Sequence, residues 1–92
     1  MKIRRKLYTV ETVSSLKSEA KFRRAYERCR ADQTAVNDAM IAAGRGHWRN
    51  AERDAAAKAG DELALLDQAL TSEAYYLGWH AERWFGQPPY MV

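Results

Sequence analysis

The amino-acid sequence predicts a mainly α fold: a helical hairpin or three-helix arrangement with a short N-terminal extended segment. Three observations carry this expectation. Both prolines of the 92-residue chain, Pro88 and Pro89, stand together near its end, so no proline interrupts a helix before Gln87. Apolar residues recur at steps of three and four along two long stretches. Glycines 44, 46 and 60 fall where those stretches would stop or bend. One small domain is expected over residues 1–92. Chains of this size bury roughly 60–70% of the surface they expose when unfolded, and alanine supplies much of the 47% hydrophobic content, so the core is modest.

Residues 1–13 form a basic segment that contains Ile3, Leu7, Tyr8, Thr9 and Val10 with charges between them, and suits an extended strand. On a strand Lys2, Arg4 and Lys6 share one face. A lone strand needs a neighbour. The extended tail 87–92, released by the two prolines, is one candidate, and a partner's sheet edge is the other. Next comes a basic amphipathic helix over 14–44, with Ser14 and Ser15 as N-cap candidates. Its packed stripe runs Phe22, Tyr26, Cys29, Gln33, Val36, Met40, Ala43. Gly44 and Gly46 mark its stop.

The third stretch, 47–86, holds the longest regularity. Trp48, Ala51, Ala55, Ala59, Leu63, Leu66, Leu70, Ala74, Leu77, Ala81 and Trp84 are all apolar, and their mean step is about 3.6, the α-helical period. The phase survives Gly60–Asp61. Either one long helix with a soft point at Gly60 or two nearly collinear helices are expected, with Asp61 as N-cap if there is a break. Alanine at 51, 55 and 59 would let another helix approach closely.

Charge is segregated along the chain. Residues 1–30 hold ten Lys/Arg and three Glu, a net +7; residues 31–60 balance at zero; residues 61–92 hold one Arg and five Asp/Glu, a net −4. Uniform solubilising charge does not produce that pattern. The single cysteine, Cys29, forms no internal disulfide and fits a reducing cytoplasm. No stretch approaches the ~20 apolar residues of a membrane span.

Lys17, Lys21, Arg24 and Arg28 fall on one line opposite the packed stripe, a ladder of like charge that costs a few tenths of a kcal/mol per neighbouring pair. A solvated face explains the ladder as well as a track for phosphates or an acidic protein surface does. Arg45, Arg49 and Arg53 form a second ladder beginning inside "GRG", where the glycines serve either as helix terminators or for close backbone approach to a ligand. Lys2, Arg4 and Lys6 would extend the basic surface. The last helix, "EAYYLGWHAERWFG", is apolar nearly all round, which marks either a fully buried helix or a binding surface. Tyr75, Trp79 and Phe85 are its interface candidates, for self-association or a partner.

No chemistry-bearing constellation stands out. Glu73 and Glu82 are nine apart and do not pair on one face. His47 and His80 lack carboxylates or cysteines at ligand spacing, and neither a glycine-rich phosphate loop nor a nucleophile elbow is present. Cys29 on the packed stripe reads as a small core residue. A binding protein without catalytic, metal or cofactor site is expected.

The opening "MKIRRKLYTVETVSSLKSEAKFRRAYERC", the ending "AYYLGWHAERWFG" and the length resemble a small phage-encoded anti-CRISPR protein of the type I-F inhibitor group. The resemblance implies a non-catalytic inhibitor in the cytoplasm of a host bacterial cell. It would dock on the RNA-guided surveillance complex, on its backbone subunits and guide RNA, and prevent hybridisation with target DNA. Members of that group share no fold or motif, so no site residue is carried over. The basic first third departs from acidic mimicry of DNA and suits guide-RNA phosphates or an acidic subunit surface. A small helical DNA-binding regulator and a self-associating phage structural protein are the alternatives.

Overall fold

Thr9, rather than Ser14 or Ser15, opens the first helix. In a computed structural model that describes residues 3–85, apart from the side chains of Glu82, Arg83 and Phe85, α1 spans Val10–Ser14. The Thr9 amide donates to Thr12 Oγ1 at 2.7 Å, and Thr9 Oγ1 accepts from the Thr12 amide at 3.3 Å. Ser14 and Ser15 instead donate their hydroxyls back to the carbonyls of Val10 and Thr12. Hydroxyls aimed backwards do not cap the next helix. That role falls to Ser18, whose Oγ accepts from the Lys21 amide at 3.1 Å, so α2 spans Glu19–Ala42. The expected start at residue 14 is therefore corrected. A five-residue helix and a short connector occupy residues 10–18.

The expected N-terminal strand is also absent: among the described residues there are four helices and no strand. Its alternation nevertheless survives as extended chain. Ile3, Arg5 and Leu7 are half-buried, while Arg4 and Lys6 are exposed. Lys2 and the tail 87–92 lie outside the described residues, as does the pairing expected of that tail.

Two glycines terminate helices in the same way. After α2, Gly44 at φ +75° lets its amide donate to the Ile41 carbonyl and that of Arg45 to Met40. After α3 (Asn50–Lys58), Gly60 at φ +87° donates to Ala57, and Asp61 to Ala56. Each is the paired 6→1 and 5→2 closure that a left-handed residue permits. Asp61 then caps α4 (Glu62–Phe85), accepting from the Ala64 amide at 3.0 Å.

The break at Gly60 is a reversal, which overturns the expectation of collinear helices. Arg53 meets Asp67 at 3.3 Å, and Gln68 donates to Asp54 at 2.7 Å. These pairs bracket the Gly60–Asp61 turn almost evenly, so α3 lies back along the first half of α4. The reversal also rotates α3 out of the predicted phase. Ala51, Ala55 and Ala59 are exposed, and Ala57 is the buried residue that faces α4.

Every helix packs on α4. α2 runs antiparallel to it, with Phe22 near Trp84, Cys29 near Leu70 and Ala74, and Met40 near Leu70. Two apolar clusters result. One joins Val13, Leu16, Phe22, Ala25 and Cys29 to Ala74, Leu77 and Ala81, with Tyr8, Tyr26, Tyr76 and Trp84 at its edge. The other joins Val36, Met40 and Leu70, with Leu7, Trp48, Leu63 and Leu66 around it. Phe22 and Trp84 stack at 6.2 Å between ring centroids. Most of the two sequence stripes lies here. Cys29 is fully buried, and burial, reinforced by the Glu73 carboxylate, pushes its thiol up to about 12. Among the described residues no helix is long and apolar enough to cross a membrane.

Neighbouring positions on α4 should respond very differently to truncation. Leu77 is fully buried and Tyr75 is 53% exposed. Urea denaturation should show Leu77→Ala losing about 2–5 kcal/mol of stability, against less than about 0.5 kcal/mol for Tyr75→Ala. Equal losses would contradict this packing.

Candidate anion-binding groove

A carboxylate in the middle of the core determines where the N-terminal segment lies. Glu73, on α4, is 0% exposed. Arg5 grips it with both ends of its guanidinium, Nη1 donating to Oε2 at 2.8 Å and Nη2 to Oε1. The Tyr8 backbone amide adds a bond to Oε2 at 2.7 Å. Arg5 Nε donates to Asp32 Oδ2 on α2, also at 2.7 Å. The network falls between the two apolar clusters and ties three parts of the chain together. Burial alone would raise the Glu73 carboxyl, but Arg5 and the Tyr8 amide more than offset it and hold the group below its ordinary value. The same contact with Glu73 outweighs burial and keeps Arg5 still more firmly protonated than usual. No buried side-chain nitrogen or oxygen among the described residues lacks a partner.

With Arg5 anchored inward, alternation turns Lys6 outward, over the flank of α2. A groove of about 850 Å³ opens between this segment and the helix. Its walls include Lys6 and Tyr8 on one side and Lys21, Arg24 and Arg28 on the other, with Leu16, Ala25 and Ala31 between. Glu27 is the one carboxylate among the lining residues. Lys6, Lys21, Arg24 and Arg28 are exposed, and none lies within 4.0 Å of a carboxylate among the described residues. Four such cations around one concavity are the chemistry that an anion with several phosphates or carboxylates would need.

The predicted ladder is thus partly reassembled. Lys21, Arg24 and Arg28 share the face expected of them. Lys17 does not, because it precedes the Ser18 cap and is not on the helix; it is exposed and does not line the groove. Lys6 takes its place from a different part of the chain. Arg4 is exposed but outside the groove, and Lys2 is not among the described residues.

Two members of the second ladder, Arg45 and Arg53, are paired within the fold. Arg45 pairs with Asp61 at 2.7 Å and lies over the Trp48 ring at 4.8 Å, holding the α2–α3 loop to the start of α4. The Ala64 amide and then Arg45 hold the Asp61 carboxyl below its usual value. Arg53 is committed to Asp67. Arg49 precedes α3, its amide donating to Glu52 at 3.0 Å, and is exposed. The Arg45 charge is thus matched within the fold by Asp61.

Of the aromatic candidates, Tyr75 and Trp79 are 53% and 66% exposed, one turn apart on α4. They lie beyond the stretch that the nine-residue α3 covers. The Phe85 side chain is outside the described set. Trp84, expected on the packed stripe, lies at the core edge.

Sequence reasoning missed Arg5, Asp32 and Glu73 as a unit. One signal was available: Glu73 interrupts the apolar run of α4 beside Ala74 and between Leu70 and Leu77, where a charge requires a partner. Nothing in the order of residues identifies that partner as Arg5, 68 positions away.

Removing the Glu73 charge strands Arg5. Glu73→Gln should cost about 3–5 kcal/mol, while Arg5→Met combined with Glu73→Leu should recover much of the loss in urea denaturation. Because the folded-state value of Glu73 is depressed, its contribution is complete above the unfolded carboxylate value and is lost as pH falls through the folded one. Stability measured from pH 7 downward should therefore show the gap between wild type and Glu73→Gln closing only below about pH 4. A gap constant down to pH 2 would contradict the ion pair. No protein-family model, curated protein or solved structure matches the chain, and the functional reading rests on the groove itself.

Proposed function

We propose that this chain is a non-catalytic binding protein whose basic groove engages the phosphates of nucleic acid held in a ribonucleoprotein. The observation that carries the reading is the convergence of Lys6, Lys21, Arg24 and Arg28 on one concavity, with no carboxylate within 4.0 Å of any of them among the described residues. Surface cations placed only for solubility are commonly interleaved with acids, as Arg23 is with Glu19 elsewhere on α2. Resemblance to the type I-F anti-CRISPR group supports a specific partner: the RNA-guided surveillance complex, in the cytoplasm of a host bacterial cell. There the groove would take guide-RNA phosphates and the bound protein would block hybridisation with target DNA. Tyr75 and Trp79, exposed on α4, would be its protein contacts.

Gel filtration with the surveillance complex, and separately with naked duplex, tests the reading. Comigration with the complex is expected, and Lys21→Glu with Arg24→Glu and Arg28→Glu should abolish it without changing the helical circular dichroism. If the four cations meet phosphates, log affinity should fall with log salt at a slope of about −3, and each cation removed should flatten it by about 0.7. Comigration with naked duplex alone would favour a DNA-binding regulator. Affinity unchanged in the triple variant would remove the groove from the binding surface.

A further inference from the structure

The geometry points to a single strand, rather than a duplex, as the occupant of the groove, with its phosphates on Lys6, Lys21, Arg24 and Arg28 and one base against Tyr8. This deepens the nucleic-acid reading above and rests on it. A helix reads duplex DNA by entering the major groove, which is about 12 Å wide and admits a helix of about 10–12 Å with little to spare. Here the cationic face of α2 does not stand alone. The segment carrying Arg5, Lys6 and Tyr8 runs beside it and forms the opposite wall. Arg5, bonded to both Asp32 and Glu73, holds that wall in place. A helix alone already fills that groove, so none is left for the segment beside it, and α4 closes the far side of α2. A-form duplex is less accessible still, because its major groove is too narrow for side chains.

The arrangement is concave, and a concave basic track suits a narrow, flexible strand that bends into it. Lys21, Arg24 and Arg28 span about 10 Å along the helix at ~1.5 Å per residue. The volume of about 850 Å³ is that of a small-ligand pocket, far short of a duplex turn. Tyr8 is the one aromatic residue among those lining the groove, and it is half-buried. Its amide is bonded to Glu73, so the backbone beneath the ring is held. Cations along the backbone with an aromatic face beside them are the two parts of a single-strand site. Single-stranded RNA and DNA share this chemistry.

Fluorescence anisotropy with labelled oligo-U and oligo-dT of about ten nucleotides, and with a duplex of matching length, separates the cases at about 50 mM salt. Both single strands should bind at least about tenfold tighter than duplex. A preference for oligo-U over oligo-dT would assign the site to RNA, and the reverse to DNA. Arg24→Glu with Arg28→Glu, both exposed on a helix, should abolish binding. Tyr8→Leu should weaken it about tenfold and Tyr8→Phe should not, with thermal unfolding confirming that each variant is folded. Duplex bound as tightly as single strand would overturn the inference and leave the nucleic-acid reading standing. Comigration with the surveillance complex but no oligonucleotide binding would overturn it as well, since the site would then depend on protein contacts. Loss of both would remove the inference and the reading together. Unchanged affinity in Tyr8→Leu would overturn the role of the ring.

Discussion

The position of the N-terminal segment depends on one buried carboxylate. A charge in an apolar interior is tolerated only when it is paired and hydrogen-bonded. Glu73 meets both conditions by drawing in Arg5 and the Tyr8 amide from the first residues of the chain. Leu7, between them, can then join the cluster of Val36, Met40 and Leu70, while Tyr8 joins the other. A short basic segment that forms no strand is thereby held against a helical hairpin. Such ion pairs are weak contributors to net stability compared with apolar replacements. Their value here is positional: three hydrogen bonds to a single side chain define where the segment lies.

That placement turns two unremarkable basic stretches into one site. Lys21, Arg24 and Arg28 on an isolated helix would be a solvated face. Once Arg5 is anchored inward, Lys6 and Tyr8 stand opposite them and the face becomes a wall. The buried pair and the exposed cations thus perform different tasks with the same residue types. Arg5, Arg45 and Arg53 are matched by carboxylates and organise the fold. The cations around the groove have no carboxylate within 4.0 Å among the described residues. Segregation of charge along the chain, +7 in the first thirty residues and −4 in the last thirty-two, follows this division. The acidic share of the last third includes Asp61, Asp67 and Glu73, and all three are spent on arginines from earlier in the chain.

α4 is the element on which the others depend. It packs α2 along most of its length, α1 near one end and α3 near the other. Its neighbours divide it, α2 and α3 sharing the first half and α2 and α1 the second. They do not cover all of it: α3 is only nine residues long, and past its reach Tyr75 and Trp79 face solvent. An all-round apolar helix in a small domain is buried on the faces its neighbours reach and exposed where they stop.

The sequence by itself determined the helical class, most of the core and the stop of α2, because these follow from local periodicity and from what glycine allows. Phe22, Cys29, Val36, Met40, Leu70, Leu77 and Ala81 were all legible as packed positions, Gly44 as a terminator and Gly60 as a soft point. Asp61 as a cap was legible for the same reason. Local bonding placed the caps at Thr9 and Ser18 rather than Ser14 and Ser15, since a serine hydroxyl can donate backwards as readily as it accepts forwards. Tertiary structure alone decided two things. It reversed the chain at Gly60, where an unbroken apolar phase is equally compatible with continuing straight. And it joined Arg5 to Glu73 across 68 positions, because electrostatic pairing acts through space and leaves no periodic trace along the chain.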